Sequence, residues 1–346
     1  MNRPQKKQTG VALIIVLLIV AIVSVLATEM GTRLQLQIKR ASNIKENNQA
    51  YWYAMGAEQF AQKSLLELYK TNSDVIHSEQ PWNQEFTFPI EGGGIQAQLI
   101  DLQSCFNLNA LGGVTTKSTG SPTPPASPAP ASPSGVVVKD ELTQRIAAFE
   151  NLLTIIDADI PSYNIEILKD SLADWLDKDS QARALGAEDN EYESRQFPYM
   201  AANNFMVHKS EIRLVNGIEV KWLDKLLDLV CVIPNNPLFK INVNTVSEEN
   251  ASIIAAMTGL SLDQAQSVIS SKGKDGFEKV ADFLNTTEIK ALTLTDEQKA
   301  WFDVTTSHFI LHTKAKFNNA TFAMQTVFEI DSGKNVKVIR REFSGF

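Results

Sequence analysis

The sequence predicts an α+β protein. A long N-terminal helix packs on a small antiparallel sheet, and a large, mainly helical insertion splits that sheet in two along the chain. Three observations carry this reading. An apolar helical pattern begins at Val11 and meets no proline before Pro81, short alternating runs lie towards both ends, and about 200 residues between those runs read mainly as helix. With 346 residues, 44% of them apolar and 21% charged, the chain has room for about two domains and a substantial core.

The first element is the helix. Val11 to Thr28 carries no charge, and only Ser24 and Thr28 are polar. At about 1.5 Å per residue it is long enough to cross most of a bilayer. Arg3, Lys6 and Lys7 precede it, so the positive-inside tendency keeps the short leader cytoplasmic and sends the rest outward. A cleaved secretory signal shares this order of basic flank and apolar core, but its core is usually shorter. The helical pattern also continues beyond the apolar run. Ala54, Ala57, Ala61, Ser64, Leu65 and Leu68 form one stripe, which predicts a helix from Val11 to about Tyr69 that docks its second half on a globular domain. Gly31 and Gly56 are its soft points.

Strands follow. Phe86–Pro89 and Ile95–Leu102 flank Gly92-Gly93-Gly94 as a hairpin. At the far end His308–Phe317, Thr321–Ile330 and Lys334–Phe343 are joined by Asn318-Asn319 and Ser332-Gly333. Neither group is large enough alone, so strands from both ends must pair. The expected division is a helix over 11–70, an α+β domain over 71–104 and 305–346, and a helical insertion over 105–304. Within the insertion, Gly112 to Gly135 holds six of the thirteen prolines and no aromatic residue, and reads as a flexible loop.

The insertion carries a degenerate repeat. Asn107-Leu108-Asn109 precedes a stretch ending at Ala173-Asp174-Trp175-Leu176, and Asn242-Val243-Asn244 precedes one ending at Ala281-Asp282-Phe283-Leu284. In the second copy Thr258-Gly259-Leu260-Ser261 joins two helices, a pattern that looks like a helix-hairpin-helix or SAM-like module. Such hairpins can hold DNA phosphates on backbone amides, but here Ser261 replaces the second glycine and Asp263 stands close by. The charge agrees: 40 acidic against 32 basic residues, a formal −8, argue against a nucleic-acid surface. No G-x-S-x-G, G-x-G-x-x-G or P-loop is present, and no nucleophile, base and orienter can be nominated, so catalysis is not expected. His77 and His208 are isolated, while His308 and His312 share a strand face and are expected as surface or edge residues.

One stretch could carry chemistry. Asp174, Asp177 and Asp179 are followed by Glu188, Asp189 and Glu191, and so many carboxylates must be solvated, protonated or neutralised by a cation. Hard oxygen ligands in a flexible loop suit Ca2+, whereas the absence of His and Cys disfavours zinc. The residues leave two readings open, a bound ion or an exposed ion-free acidic loop.

A short basic leader ending in Gly10, followed at once by an apolar helix that runs on into the soluble part, resembles a type IV pilin or pseudopilin precursor. The resemblance implies cleavage by a prepilin peptidase after Gly10 and methylation of Val11 as the new amino terminus. Most members of that superfamily carry Glu at the fifth mature position, where this chain has Ile15. The chain is similar in this to the large GspK-type minor pseudopilins of type II secretion, which lack that Glu and carry two helical modules as an insertion.

That resemblance implies calcium near the D-W-x-D-x-D and G-A-E-D-x-x-Y region, with Asp177, Asp179, Glu188 and Asp189 as the principal ligands and Asp174 and Glu191 as further ones. It places the chain in the bacterial inner membrane by one span, with its bulk in the periplasm. There Cys105 and Cys231 form a disulfide or remain two buried thiols. The expected function is assembly, at the tip of a periplasmic pseudopilus, initiating or capping it to promote export of folded proteins. The expected partners are GspI- and GspJ-type minor pseudopilins, the prepilin peptidase and the inner-membrane secretion platform. The rival readings are a membrane-tethered periplasmic DNA binder using the hairpin modules, and a calcium-dependent adhesin-like tip of a true pilus.

Overall fold

The computed structural model describes residues 10–71, 74–112 and 141–343. Leader residues 1–9, and all of the proline-rich stretch beyond Gly112, lie outside them. Helix α1 runs unbroken from Val11 to Thr71, 61 residues or about 90 Å, straight through Gly31 and Gly56. Over its apolar part the side chains are exposed, with Leu13 at 64% and Ile15 at 51%, as a lipid-facing surface would be. The hydroxyls of Ser24, Thr28 and Thr32 each donate to the carbonyl four residues earlier, so the few polar groups here are satisfied within the helix.

From Ala50 onward α1 turns one face to the sheet. Strands β1 (Phe86–Ile90) and β2 (Gly93–Asp101) come before the insertion. The insertion then supplies β3 (Phe106–Asn107), α2 (Glu141–Ile156), α3 (Ser162–Leu176), α4 (Asp189–Glu193), α5 (Val220–Leu229) and β4 (Val230–Cys231). It continues with β5 (Ile241–Asn242), α6 (Ala251–Thr258), α7 (Leu262–Ser270), α8 (Val280–Leu284), α9 (Thr287–Lys290), α10 (Asp296–Lys299) and β6 (Phe302–Asp303). Strands β7 (His308–Phe317), β8 (Ala320–Ile330) and β9 (Val336–Phe343) close the chain.

The five long strands form one antiparallel sheet in the order β1-β2-β7-β8-β9, so the two ends of the sequence pair through β2 and β7, with Leu99 opposite Leu311. A glycine is required where β2 approaches β7: a Cβ on Gly93 would lie 2.0 Å from the Lys316 carbonyl oxygen. Ala54, Ala57, Ala61 and Leu65 of α1 are buried against this sheet, with Ser64 and Leu68 half-buried at the rim of the stripe. Phe309, Phe328 and Trp82 fill the same core.

A charged clamp joins the apolar stripe. Glu58 is fully buried on the same helix face, and Arg341 of β9 donates to it in a fork, Nε to Oε2 at 2.6 Å and Nη2 to Oε1 at 2.8 Å. Thr326 of β8 adds a third hydrogen bond at 3.0 Å. Reading apolar periodicity alone passes over Glu58, because what admits its carboxylate to this core face is a fork supplied by Arg341, distant in the sequence.

The insertion leaves β2 and returns to β7 at the end of the sheet beside Tyr69, the end remote from the apolar segment. There Asp101 is a buried hub. Its Oδ1 accepts from the Gln103 amide (2.7 Å) and Thr306 (2.6 Å), and its Oδ2 from Asn242 (3.2 Å) and Thr245 (2.6 Å). Burial pushes its carboxyl up to about 6 despite these four donors. Tyr69 of α1 donates to the Thr306 carbonyl at the same junction. His308, expected at a surface or edge, is instead buried here, with Nε2 at 3.2 Å from Asn236 and Nδ1 at 2.9 Å from Ser307. The insertion packs against this end of the sheet, a contact that strand periodicity does not reveal.

Cys105 and Cys231 are joined in a disulfide between partners 126 residues apart. On the chain-entropy account such a closure contributes about 4–5 kcal/mol. A continuous apolar core extends from Phe106 to Val304, so the insertion packs as one body.

The body is nonetheless built twice. In each half the first Asn of N-x-N sits in a two-residue parallel strand pair, β3 with β4 and β5 with β6. In each, its side-chain oxygen accepts from the amide two residues on, Asn109 at 3.3 Å and Asn244 at 3.1 Å. The second Asn then pairs both backbone groups of a distant residue. Asn109 binds the Met206 carbonyl (3.0 Å) and amide (2.8 Å), and Asn244 binds those of Phe277 (3.0 and 2.7 Å). Two residues later each copy opens a capped turn, His208 with Glu211 and Lys279 with Asp282.

This register corrects the repeat read from sequence. The counterpart of Ala281-Asp282-Phe283-Leu284 is Ser210-Glu211-Ile212-Arg213. Ala173-Asp174-Trp175-Leu176 instead ends α3 and matches by composition alone.

Candidate functional site

Between α3 and Met206 the first half carries residues 177–205, where the second has only 271–276 between α7 and Phe277. This extra loop holds the acidic run. Asp177, Asp179 and Glu188 each bring a carboxylate oxygen within 4.8 Å of the others. The most telling member is Glu188. It is only 6% exposed, and neither of its carboxylate oxygens accepts a hydrogen bond; Asp177 Oδ1 is likewise buried and without a donor. Buried acceptors are costly when left unmade, so this set is short of a cation or a proton.

Electrostatics agrees. Burial, then the fields of Asp174, Asp177, Asp189 and Asp179, push the Glu188 carboxyl up to about 7. The donor set is entirely hard oxygen, which fits Ca2+ or a similar cation and excludes a thiolate or imidazole site.

The remaining candidates fall elsewhere. Asp174 is fully buried but engaged: Arg183 Nη1 reaches its Oδ1 at 2.5 Å, and the Arg183 amide donates to its Oδ2 at 3.0 Å. Asp174 therefore organises the loop rather than offering free oxygens. Asp189 begins α4 and accepts from the Ala201 amide at 2.9 Å, tying the middle of the loop to its later part. Glu191 is exposed on α4 outside the three-carboxylate group.

Two residues that matter were not singled out from sequence. Arg183 bridges Asp174 and Asp177, at 2.7 Å from Asp177 Oδ2. Only it and Lys178 are basic between residues 174 and 191, so the count of charges in the run already pointed to it. Gly186 is pressed on Asp174: a Cβ there would lie 1.8 Å from its Oδ2. The loop rests on an aromatic box. Trp175 meets Tyr192 edge-on at 5.2 Å, Tyr192 stacks on Tyr199 at 5.3 Å, and the Arg195 guanidinium lies 4.8 Å from the Tyr192 ring centre.

The α6–α7 hairpin is arranged differently from a phosphate cradle. Gly259 adopts the left-handed conformation (φ 82°) that ends α6. Three of the amides that follow are already used: Leu260 donates to Thr258, Ser261 to Gln264, and Gln264 back to Ser261. The capping box thus takes up two of the donors at the start of α7.

Comparison with known proteins agrees with this layout. Family models described as "Type II secretion system (T2SS), protein K" match residues 104–235 and 241–305, dividing the insertion where the two N-x-N halves divide. Type II secretion system protein K of Aeromonas hydrophila is 30% identical over 343 residues, covering 97% of each chain. Its counterpart from Klebsiella pneumoniae is 29% identical over 340 residues, again 97% of each. A chain in the crystal structure of the GspK-GspI-GspJ complex from enterotoxigenic Escherichia coli is 26% identical, with a TM-score of 0.72 over 89% of this chain and 100% of that one. With an apolar helix that leads without a break onto a sheet interrupted in sequence, and the interrupting helical body packed on the end of that sheet, the chain belongs to the type II secretion system protein K family, as a GspK-type minor pseudopilin.

Proposed function

We propose that this minor pseudopilin acts by assembly at the tip of a periplasmic pseudopilus, starting or capping the fibre through GspI- and GspJ-type subunits. The observation that carries this is the position of the insertion: it occupies the end of the sheet beside Tyr69 and Asp101, remote from the apolar segment. A body of that size at the far end leaves no room for another subunit to stack above. Ile15 removes the carboxylate by which a subunit would reach one already ahead of it. The likeness over nearly its full length to a chain in a GspK-GspI-GspJ complex supports the choice of partners.

In this reading prepilin peptidase cuts after Gly10, α1 remains as a single inner-membrane span next to the secretion platform, and the sheet and insertion lie in the periplasm. Asp177, Asp179 and Glu188 hold one structural Ca2+, with Asp189 positioning the loop. The ion would neutralise the unpaired oxygens of Glu188 and Asp177 and fasten the loop to α3.

Co-purification of the full chain with GspI- and GspJ-type pseudopilins of the same secretion system tests the assembly, and mass spectrometry of the mature amino terminus tests the processing. A stable complex and a start at Val11 are expected. A chain that binds neither subunit, or that begins elsewhere, overturns the proposal.

A further inference from the structure

The sheet turns one face to α1 and the opposite face to the first half of the insertion, where Val327 of β8 packs with Cys231 and Ile233. On that far face Arg340 of β9, opposite Val327 in register, donates from Nη1 to the Val207 carbonyl. The bond joins the sheet to the capped turn that follows Met206, the residue braced by Asn109. His208 holds the start of this turn. Its Nδ1 accepts from the Ser210 amide at 3.1 Å and lies 2.7 Å from Ser210 Oγ. Glu211 completes the box, its Oε1 accepting from the Val207 and His208 amides at 2.7 and 2.9 Å. The cap acceptor is thus a group that titrates near neutrality, where Ser, Thr, Asp or Asn is usual.

A nitrogen that accepts from an amide carries no proton, so the neutral ring bears its proton on Nε2, 3.7 Å from Glu342 Oε2. A second proton can enter only at Nδ1. Ser210 Oγ can then accept from the ring, but the Ser210 amide loses its acceptor. The joint also has little to offer a new cation. Glu342 is already 3.6 Å from Arg340 Nη2, Arg340 Nε is buried without an acceptor, and Glu211 is occupied by two amides. Lys209, half-buried with Nζ donating to the Leu227 carbonyl at 2.8 Å, adds charge of the same sign. Burial chiefly holds His208 below its ordinary value of 6.5; Glu342 and Glu211 pull it up, Arg340 and Lys209 down. On β7, burial and then Lys209 lower His312 as well. The neutral rings therefore stabilise the joint fully above 6.5, and that contribution is lost as pH falls below it. Asp101 and Glu188 take up protons in a similar range with the opposite sign, because burial raises both.

We propose that His208 is a proton-sensitive latch: neutral, it caps the turn that fastens the insertion to the far face of the sheet, and protonated at Nδ1 it frees the Ser210 amide and lets that turn leave the sheet. The latch belongs to the first half alone, since the counterpart turn at Lys279 contains no histidine.

Hydrogen exchange of the full chain in nanodiscs tests this at pH 7.5 and pH 5, with chelator present throughout so that loss of an ion does not enter. After correction for intrinsic exchange, amides of 207–214 are expected to lose protection at least tenfold at pH 5, while those of 251–258 stay within twofold. His208→Asn supplies a cap acceptor that does not titrate, and should hold the 207–214 protection at pH 5 within threefold of its value at pH 7.5. Unchanged protection in the wild type, equal loss in His208→Asn, or loosening of both stretches together overturns the proposal. Titration of the histidine ring signals decides independently of any variant, which matters if His208→Asn fails to fold. His208 is expected as the Nε2–H form at pH 7.5, titrating below 6.5; an Nδ1–H form, or titration at or above 6.5, overturns the latch.

Discussion

The two halves of the insertion share one frame and differ in what is hung on it. Both open with a short parallel strand pair, both use the second Asn of N-x-N to hold a distant backbone by both its polar groups, and both follow with a capped turn. The second half connects α7 to that turn through residues 271–276 alone. The first half uses residues 177–205, and in that excess lie all three clustered carboxylates, Arg183, Gly186 and most of the aromatic box. A frame held by backbone pairing tolerates a long excursion, because loop-closure entropy grows only slowly with length. The excursion can then carry unsatisfied oxygens that the frame itself never could.

The sharpest way to break this comparison is to remove the brace from each half in turn. Asn109→Ala leaves the buried amide and carbonyl of Met206 without partners, at about 4 kcal/mol in total, and Asn244→Ala does the same to the half-buried pair of Phe277. Denaturant unfolding should show both variants destabilised, Asn109→Ala the more because water reaches the half-buried Phe277 groups more readily than those of Met206. A loss confined to one of them denies that the halves are equivalent.

Next in size is the ion. At a calcium concentration a hundredfold above its dissociation constant, the wild type should be stabilised by about 2.7 kcal/mol relative to chelator. Glu188→Gln should respond to neither addition nor removal, and Asn244→Ala should keep the full response because its lesion lies in the half without the loop. A calcium response that survives Glu188→Gln in calorimetry sinks the site.

Gly186→Ala should cost about 2 kcal/mol, since its Cβ must displace the Asp174 carboxylate or shift the loop. Gly273→Ala, in the short connection of the second half where nothing lies within 4 Å, should stay within about 0.5 kcal/mol of wild type.

The smallest effect is a pH dependence. In the ion-free protein Glu188 is protonated up to about 7, above its ordinary value of 4.5. Protonation therefore stabilises the ion-free fold fully below about 4.5, and that contribution is lost as pH rises through 7. Calcium requires the ionised form. Its affinity, measured by titration calorimetry, should be flat above pH 7 and fall up to tenfold for each unit below, about 1.4 kcal/mol per unit.

Much of this was legible in the chain. The helix from Val11, the strands at both ends and their pairing through an interrupted sheet follow from apolar periodicity and turn residues, both of which are local signals. Asp177, Asp179 and Glu188 were legible as too many carboxylates in too short a run. The partners that settle their roles were not. Arg183 decides that Asp174 is a loop organiser, and Asp101 gathers donors from nearby Gln103 and from Asn242, Thr245 and Thr306, 141 to 205 residues on. His308 is buried because a different unit covers it. The Asp101 and His308 surroundings depend on long-range contacts, which neither composition nor period contains, whereas Arg183 stands in the run itself and only its choice of carboxylates waits on the fold. The repeat was visible at its Asn-x-Asn start, where the side-chain chemistry is fixed, and was misread at its end, where a capped turn can be written with different residues.

The continuity of α1 has a mechanical corollary. An unbroken helix with no proline is stiff along its axis, and the Glu58–Arg341 fork fastens it to β9 while the Tyr69–Thr306 bond fastens it to the connection just before β7. Movement of the apolar end is thus delivered to the folded head without slack, as a rod moves the piece bolted to it. With that end in a bilayer, as proposed above, the loosest point along the line is the bilayer itself, rather than any joint within the protein.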